Sequence, residues 1–457
     1  MRSLLIVWLG CLPCVLAQEP GALAEQIDRL CNPLVAADVA VGFVVGVVDG
    51  ETTLVRGYGH VKGKSGDKPG ADTIYEIGSV SKVFTSLLLA DAVQRGVATL
   101  DDPVQKHLPA GVSMPKFDDT PVLLWHLATH TSGLPRLPDM KGNDPQDPYA
   151  HFTTERLWEA LGDAKVRWEP GSKYEYSNLA VGLLGAVLAR ANGAGSYEEL
   201  LRTIILAPLQ MQDSAIALDE AKRKRLAPPH DGDGEPSHTW DLAALAGAGG
   251  IRSTVPDMLK FARAQFTQAD PLGKAVALSH EKRHDGLGGP AMALGWHFAR
   301  DGKTLWHNGQ TGGYHAFLGV QPERSRAVCI LANTSRAEID AIGDRILKLL
   351  AGTKVEPLKI EQPVAVERAV LQRYVGKYRM SPAATFDVTL RERGLFAQLT
   401  GQQACRLYPR SATEFFYRVV EASITFELEG EAVTGLVLHQ NGRDTRCSRL
   451  PEGGEGK

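Results

Sequence analysis

Ser79-Val80-Ser81-Lys82 stands between an extended run, residues 71–77, and an apolar run, residues 83–93. The apolar run and the Gly96 that follows it predict a helix over residues 79–95. Side chains three residues apart share a helix face, so the Lys82 amine is within reach of the Ser79 hydroxyl. Free N–H groups at the start of a helix also favour negative charge there. The tetrad therefore indicates an activated serine nucleophile, provided that other chemistry-bearing residues accompany it.

Two further elements follow along the chain. Tyr176-Ser177-Asn178 comes after the turn sequence Pro170-Gly171-Ser172 and before an apolar run, residues 179–191. His307-Asn308-Gly309 closes a predicted hairpin over residues 294–307. Acyl transfer to serine needs a base, a proton donor and donors for an oxyanion beside the nucleophile. The residue types of the second and third elements are suited to those tasks.

In this order, the three elements resemble the signature of the serine β-lactamase and penicillin-binding protein superfamily, which is S-x-x-K, then Y-x-N or S-x-N, then K-T-G or H-x-G. The tyrosine of the second element is similar to the class C-like branch, which includes class C β-lactamases and D-Ala-D-Ala carboxypeptidase/endopeptidases. The resemblance extends over about residues 22–350. Its neighbouring blocks are residues 76–82, 127–135, 174–180 and 307–314.

The resemblance implies a role for each residue of the first two elements. Ser79 is the nucleophile. Lys82 and Tyr176 share the role of the base, and the order in which they move the proton is left open. Asn178 is expected to bind the acylamide group of the substrate and to orient Lys82.

The third element departs from the class C β-lactamases, which carry Lys-Thr-Gly there. Its residues are expected to line the cleft, with Gly309 permitting close backbone approach and the Gln310 N–H joining that of Ser79 as the oxyanion hole. His307 is expected to supply a smaller charge that titrates near neutral pH, and Asn308 an amide in place of a hydroxyl. Efficient binding of the carboxylate of penicillins and cephalosporins is therefore not implied.

These observations predict a serine hydrolase with an acyl-enzyme on Ser79, and they leave three functions open. The first is hydrolysis of β-lactam or peptidoglycan-stem amides, by a class C-like β-lactamase or a D-Ala-D-Ala carboxypeptidase/endopeptidase. The second is a carboxylesterase, which the loss of lysine at position 307 favours. The third is a penicillin-binding sensor that becomes acylated and stays acylated. The expected partner is a small-molecule β-lactam or a peptidoglycan peptide, and the sequence leaves the oligomeric state open.

Strands at both ends of a helical middle predict an α+β fold, in which an antiparallel sheet is flanked by helices and carries a helical lobe. This α/β sandwich agrees with the β-lactamase/transpeptidase-like fold that the resemblance implies. The catalytic domain should cover residues 18–350. Predicted helices include residues 23–35, 255–268 and 339–350, and predicted strands include 41–48, 53–57, 314–322 and 327–332.

Residues 351–367 are rich in proline, lysine and glutamate and are predicted to be a linker. Residues 368–457 should form a separate C-terminal β-domain. Short β-like runs cover residues 374–378, 385–391, 395–400, 414–419, 423–428 and 433–439. Their spacing predicts a small β-barrel or β-sandwich. The segment resembles the lipocalin-like appendage of some class C-type serine hydrolases, and a packing or assembly role is expected for it.

Residues 1–17 are typical of a secretory signal peptide, with Arg2 before an apolar run and small residues near Ala17. Export to the periplasm or the exterior is expected, with lipid attachment at Cys11 as an alternative. No later run is apolar over the roughly 18 residues of a membrane span, so no span is expected. The chain is 44% hydrophobic and 23% charged, which is typical of packed globular domains. A net charge of −3 without a basic block predicts no nucleic-acid partner.

Four cysteines follow the predicted signal peptide and allow three disulfide pairings. Cys329 lies in a predicted core strand and is expected to be a free thiol. Cys405 and Cys447, on separate predicted strands of the β-domain, are the expected pair. His126 and His130 are four residues apart but lack the H-E-x-x-H pattern of zinc hydrolases. No metal and no other cofactor is therefore expected.

Overall fold

The computed structural model describes residues 20–63, 66–140, 142–267 and 271–451 of the 457-residue chain. The predicted signal peptide, residues 1–17, lies outside the described residues. The helices are α1 (Pro20–Ala36), α2 (Ser81–Gln94), α3 (Leu124–Ala128), α4 (Thr154–Asp163), α5 (Asn178–Ala191), α6 (Tyr197–Leu201), α7 (Glu220–Arg223), α8 (Ala246–Gly249), α9 (Val255–Ala264), α10 (Pro271–His280), α11 (Glu338–Leu350) and α12 (Arg368–Arg373). Among the described residues, no helix is both long enough and apolar enough to cross a membrane.

The strands of the first domain are β1 (Gly42–Asp49), β2 (Thr52–Gly59), β3 (Tyr75–Glu76), β4 (Arg252–Ser253), β5 (His297–Phe298), β6 (Leu305–Gln310), β7 (His315–Gln321) and β8 (Arg326–Ala332). Those of the C-terminal domain are β9 (Gly376–Ser381), β10 (Ala384–Arg391), β11 (Gly394–Leu399), β12 (Cys405–Pro409), β13 (Glu414–Phe416), β14 (Ala422–Glu429), β15 (Ala432–Gln440) and β16 (Arg443–Arg449). Short 3-10 segments cover Gly78–Val80, Val104–His107, Ala243–Leu245 and Pro322–Arg324, and a π-helical turn covers Arg202–Leu206.

The main sheet of the first domain is antiparallel, with the strand order β2-β1-β8-β7-β6-β5. Alternate residues of β1 enter different cores. Val44 and Val48 pack on the side of α2 and α9, and Val45 and Val47 pack on the side of α1 and α11. Because both faces are covered, the strand appears in the sequence as an uninterrupted apolar run. The predicted α+β fold, a sheet flanked by helices, is confirmed.

The helical lobe is built around α2, whose side chains are almost all buried. A helix that is covered on every side is apolar on every side, which explains the long apolar run after Lys82. The helix begins at Ser81 and not at Ser79, because Ser79 lies in the preceding 3-10 turn. The extended run predicted over residues 71–77 contains only the two-residue strand β3. Gly78 has a φ of 50°, and this left-handed residue turns the chain out of β3 into the helix.

The C-terminal domain is a closed barrel with the strand order β10-β11-β12-β13-β14-β15-β16-β9. The barrel closes because β9 pairs with β16 as well as with β10. Of the two predicted architectures, the barrel is therefore confirmed and the sandwich is not. β12 and β16 are the two barrel strands that lie outside the predicted β-like runs. In β16, only Cys447 is buried, so the sequence of this strand contains no apolar run from which it could have been predicted.

The predicted disulfide between Cys405 and Cys447 is wrong, because all four described cysteines are free thiols. Cys405 is on β12 and Cys447 is on β16, and three strands separate these two in either direction around the barrel. Each Sγ instead donates a hydrogen bond to a carbonyl on its own strand segment, at Gln403 and Thr445. Cys329 is free and completely buried, as predicted, and burial raises the pKa of its thiol.

Candidate active site

The turn that carries Ser79 lies directly against β6. A Cβ atom on Gly309 would be 1.9 Å from the Ile77 carbonyl oxygen and 2.8 Å from the Ser79 nitrogen. A Cβ on Gly78 would in turn be 2.7 Å from the Gln310 nitrogen. Glycine at both positions therefore permits two backbones to approach more closely than any side chain would allow. This approach brings the backbone nitrogens of Ser79 and Gln310, the two predicted oxyanion donors, to the same cleft.

Lys82 is completely buried and lies among three oxygen acceptors. Its Nζ donates to the Asn178 Oδ1 at 2.9 Å and to the Ala248 carbonyl oxygen at 2.6 Å, and it lies 2.9 Å from the Ser79 Oγ, within hydrogen-bond distance. These partners come from the turn before α2, from α5 and from α8. Burial and, after it, the positive charge of Arg136 hold the pKa of Lys82 well below its usual range. The neutral amine, which can accept a proton, is accordingly more accessible than in water.

Tyr176 lies beside both Ser79 and Lys82. Its ring centroid is 4.8 Å from the Lys82 Nζ, and Ser79 is close enough to influence the pKa of its hydroxyl. The His130 ring lies 4.2 Å from the Tyr176 ring, and the Arg136 guanidinium carbon lies 5.1 Å from it. Burial raises the pKa of Tyr176, despite the opposing effect of the Ser79 side chain. The phenol is therefore a protonated group at neutral pH, able to donate a hydrogen bond or to relay a proton.

The third element is divided between the two faces of β6. His307 and Gly309 are buried on one face, whereas Asn308 lies on the other and donates from Nδ2 to the Asp340 Oδ2 at 2.7 Å. Backbone alternation along a strand explains this division. The structure thus brings His307 and Gly309 to the Ser79 turn but leaves the Asn308 side chain bound to α11. Gln310 contributes its backbone to the cleft, and its side chain is exposed.

The prediction that His307 carries a charge titrating near neutral pH is wrong. The ring is completely buried, and its Nδ1 donates to the Asn308 carbonyl oxygen at 2.6 Å. Its Nε2 is buried without a hydrogen-bond partner in the structure. Burial, followed by the nearby His297 and Lys82, holds the pKa of His307 well below its usual value. The imidazole is therefore neutral at pH 7.

Two further histidines belong to the site. The His297 ring stacks on His307 with centroids 4.7 Å apart, and burial lowers its pKa to about 4. His130 accepts a hydrogen bond at Nδ1 from the Ser177 N–H, at 3.1 Å, and burial lowers its pKa as well. His130 lies in the sequence block 127–135, but the sequence analysis considered it only with His126, as a possible pair of metal ligands. His297 had no signal of its own, because its place depends on the register of the β5–β6 hairpin.

Comparison with known proteins agrees with this geometry. A family model described as Beta-lactamase matches residues 27–353, and one described as Domain of unknown function (DUF3471) matches residues 361–449. The D-alanyl-D-alanine-carboxypeptidase/endopeptidase AmpH of Escherichia coli (strain K12) is 29% identical over 365 residues, which cover 72% of this chain and 90% of that protein. Penicillin-binding protein 4* of Bacillus subtilis (strain 168) is 24% identical over 453 residues, which cover 89% of this chain and 94% of that protein.

A solved structure shares the fold as well. The Beta-lactamase/D-alanine carboxypeptidase from Yersinia pestis, complexed with citrate, superposes with a TM-score of 0.64 at 28% identity. The superposition covers 73% of this chain and 100% of that chain. The resemblance drawn from the three sequence elements is thereby confirmed. Because the Beta-lactamase family model matches well over half of the chain, the protein belongs to the beta-lactamase family of serine hydrolases.

Proposed function

We propose that the protein forms an acyl-enzyme on Ser79 and hydrolyses amides of β-lactams or of D-Ala-D-Ala peptides from peptidoglycan stems. The observation that carries this proposal is the position of the buried Lys82 amine, 2.9 Å from the Ser79 Oγ and beside a protonated Tyr176. A base with a lowered pKa next to a serine is the arrangement that activates this nucleophile. The names of the relatives, a carboxypeptidase/endopeptidase and a penicillin-binding protein, support the same chemistry.

The proposed mechanism has an acylation step and a hydrolysis step, and the same groups transfer the proton in both. Neutral Lys82 accepts the Ser79 proton, directly or through Tyr176, while Oγ attacks the substrate carbonyl carbon. The N–H groups of Ser79 and Gln310 donate to the oxygen that becomes negative. The proton then passes through the Tyr176 hydroxyl to the leaving nitrogen, and the C–N bond breaks. Water attacks the acyl-enzyme along the same path and restores the free serine.

A carboxylesterase is the second candidate, and the state of β6 favours it. The sequence of β6, Leu305–Gln310, contains no lysine and no arginine, and His307 is buried and neutral. The Asn308 side chain is bound to Asp340. The strand that carries the carboxylate-binding lysine in class C β-lactamases therefore offers no cation here. Ester substrates that lack a carboxylate on the leaving group would not need one.

The rest of the proposal concerns location and organisation. Export to the periplasm or the exterior is proposed from the sequence of residues 1–17. The division into a catalytic domain over residues 18–350, a linker over 351–367 and a β-domain over 368–457 is supported by the separate core of the barrel, which includes Tyr378, Phe415 and Leu436. A packing or assembly role for the barrel belongs to the same proposal.

Mass spectrometry of the intact protein, followed over time after mixing with a labelled β-lactam, a D-Ala-D-Ala peptide and a short acyl ester, tests the proposal. An adduct on Ser79 that forms and then disappears from an amide substrate would support amide hydrolysis. Turnover of the ester alone would identify the carboxylesterase. An adduct that never disappears would indicate a sensor. Adducts that persist in Ser79→Ala would reject the nucleophile and with it the whole proposal.

A further inference from the structure

Arg136 is an exposed cation next to the proposed catalytic residues. Its guanidinium carbon lies 5.1 Å from the centre of the Tyr176 ring, and the Lys82 Nζ lies 4.8 Å from the same centre. The side chain itself is exposed to solvent. A ligand in the cleft would therefore encounter this charge close to Tyr176 and Lys82.

The backbone holds Arg136 on the α5 side of the cleft. Its carbonyl oxygen accepts the N–H of Asn178 at 2.9 Å and that of Leu179 at 3.3 Å. These N–H groups open α5 and have no partner within the helix, so the two bonds fix Arg136 beside Asn178. Asn178 is the residue proposed to bind the acylamide group. A substrate group that reaches Arg136 therefore belongs to the acyl part of the substrate and not to the leaving group.

Arg136 has no ion-pair partner among the described residues, whereas the nearby Arg167 pairs with Glu175 at 2.9 Å. A guanidinium presents a planar fork of N–H donors that matches the two oxygens of a carboxylate. Since β6 supplies no cation, Arg136 is the group of the cleft that is best suited to an anion.

We infer that Arg136 binds a carboxylate on the acyl part of the substrate, and that the preferred substrates therefore have an anionic acyl group. The inference rests on the proposed function, because it requires acyl transfer to Ser79. It differs from carboxylate binding at the third sequence element, which lies on β6 and would act on the leaving-group side. The chemical class is that of peptides or esters whose acyl chain ends in, or branches to, a free carboxylate.

Two esters with the same leaving group test the inference. One is the p-nitrophenyl monoester of adipic acid, whose acyl chain ends in a carboxylate, and the other is its neutral methyl ester. The measured quantity is the ratio of kcat/KM for the anionic ester to kcat/KM for the neutral one. We expect the wild type to favour the anionic ester, and Arg136→Ala to lower the ratio by about 10- to 100-fold, as for a lost hydrogen bond to a charged group.

The ratio isolates the ion pair, because any disturbance of Tyr176 affects both esters alike. Arg136→Lys should retain a preference in the same direction, and Arg167→Ala, a matched variant of a paired arginine, should leave the ratio unchanged. Added salt should lower the wild-type ratio by screening the pair. A ratio that is the same in wild type and Arg136→Ala would overturn the inference. Failure of both esters to release p-nitrophenol would reject the proposed function instead.

Discussion

The catalytic cleft and the junction between the two domains treat charge in opposite ways. In the cleft, Lys82 and three histidines are buried outside any ion pair of the described residues, and burial lowers the pKa of each. At the junction, Asp38 of the first domain accepts hydrogen bonds from Arg393 at 2.9 Å and from Arg406 at 3.0 Å, both from the barrel. In the cleft, burial of a basic side chain without an ion-pair partner favours its neutral form, which can accept a proton. At the junction, pairs of opposite charge fix the orientation of the barrel on the first domain.

The junction also extends to the cleft through one segment, residues 229–241. At its barrel end, the Asp233 Oδ2 accepts the Arg406 N–H at 2.8 Å. At its other end, the Ser237 Oγ donates to the Gly312 carbonyl just after β6, at 2.7 Å, and the Trp240 N–H donates to the Glu76 Oε1 at 3.1 Å. Glu76 lies three residues before Ser79. This segment therefore connects the barrel to Glu76, which precedes the nucleophile, and to the end of β6.

The largest effect on activity is expected from replacing the nucleophile of the cleft, Ser79. Ser79→Ala should abolish covalent labelling by β-lactams and acyl esters, because the attacking oxygen is removed. The melting temperature should change little, since Ser79 is only partly buried and contributes no apolar side chain to either core. Intact-mass measurement and a thermal melt on the same sample check both statements. A label that persists would place the nucleophile elsewhere.

Tyr176→Phe should have the next largest effect. The change retains the ring that contacts His130 and Arg136 but removes the hydroxyl that is proposed to relay the proton. Loss of a positioned acid or base typically slows turnover by about 10²- to 10⁴-fold. Steady-state kinetics with a β-lactam and with an ester give the factor for each leaving group. Turnover equal to wild type would assign the whole proton transfer to Lys82 or to water.

One central contact of the cleft could be predicted from local rules, because a spacing of three residues brings Lys82 towards Ser79. The contact of Asn178 with Lys82 joins segments 96 residues apart and was expected only from the family resemblance. Other parts depend on tertiary packing. The Ala248 carbonyl, which accepts from Lys82, comes from an Ala-Gly-Ala-Gly helix without any chemical signature. The position of His297 depends on hairpin register, which no motif encodes.

The errors in the sequence predictions have the same origin. The charge predicted for His307 assumed a ring that faces the substrate in the cleft, and its complete burial depends on which face of β6 the rest of the fold covers. The disulfide predicted between Cys405 and Cys447 placed them on separate strands of unknown order, and only the order of strands around the closed barrel places them opposite each other. The sequence did not point to Arg136, because its contact with Tyr176 joins two segments 40 residues apart and no motif encodes that contact.

A smaller effect is expected from weakening the junction. Asp38→Asn removes the charge that meets two guanidiniums and should lower the free energy of unfolding by about 1–3 kcal/mol, which corresponds to a few degrees in melting temperature. It should also expose the 351–367 linker to limited proteolysis, because the barrel separates more often. Asp49→Asn is the matched control, since Asp49 pairs with Arg326 at 2.7 Å within the first domain. Equal cleavage of the linker in both variants would show that the arginine contacts do not hold the barrel.

The smallest expected effect tests whether burial keeps the cleft neutral. Because burial lowers the folded-state pKa of His307, an unfolded chain binds a proton below about pH 6.5 that the folded chain does not. The free energy of unfolding therefore falls as pH drops through that value, and each such histidine contributes about 1 kcal/mol per pH unit. His307→Gln removes one of them. Between pH 6 and pH 5, the variant should lose about 1 kcal/mol less than the wild type, as measured by denaturant unfolding.

The same exchange at His151, whose side chain is exposed, is the matched control for the substitution itself. The pH dependence of activity gives a second test. If His307 stays neutral, kcat/KM for a carboxylate-bearing substrate should have the same pH profile near pH 6.5 in wild type and in His307→Gln. A step there that His307→Gln abolishes, together with equal unfolding slopes, would mean that His307 does take up a proton in the folded cleft. The contrast between a neutral cleft and a charged junction would then fail at this residue, and β6 would regain a cation that competes with Arg136 for the substrate.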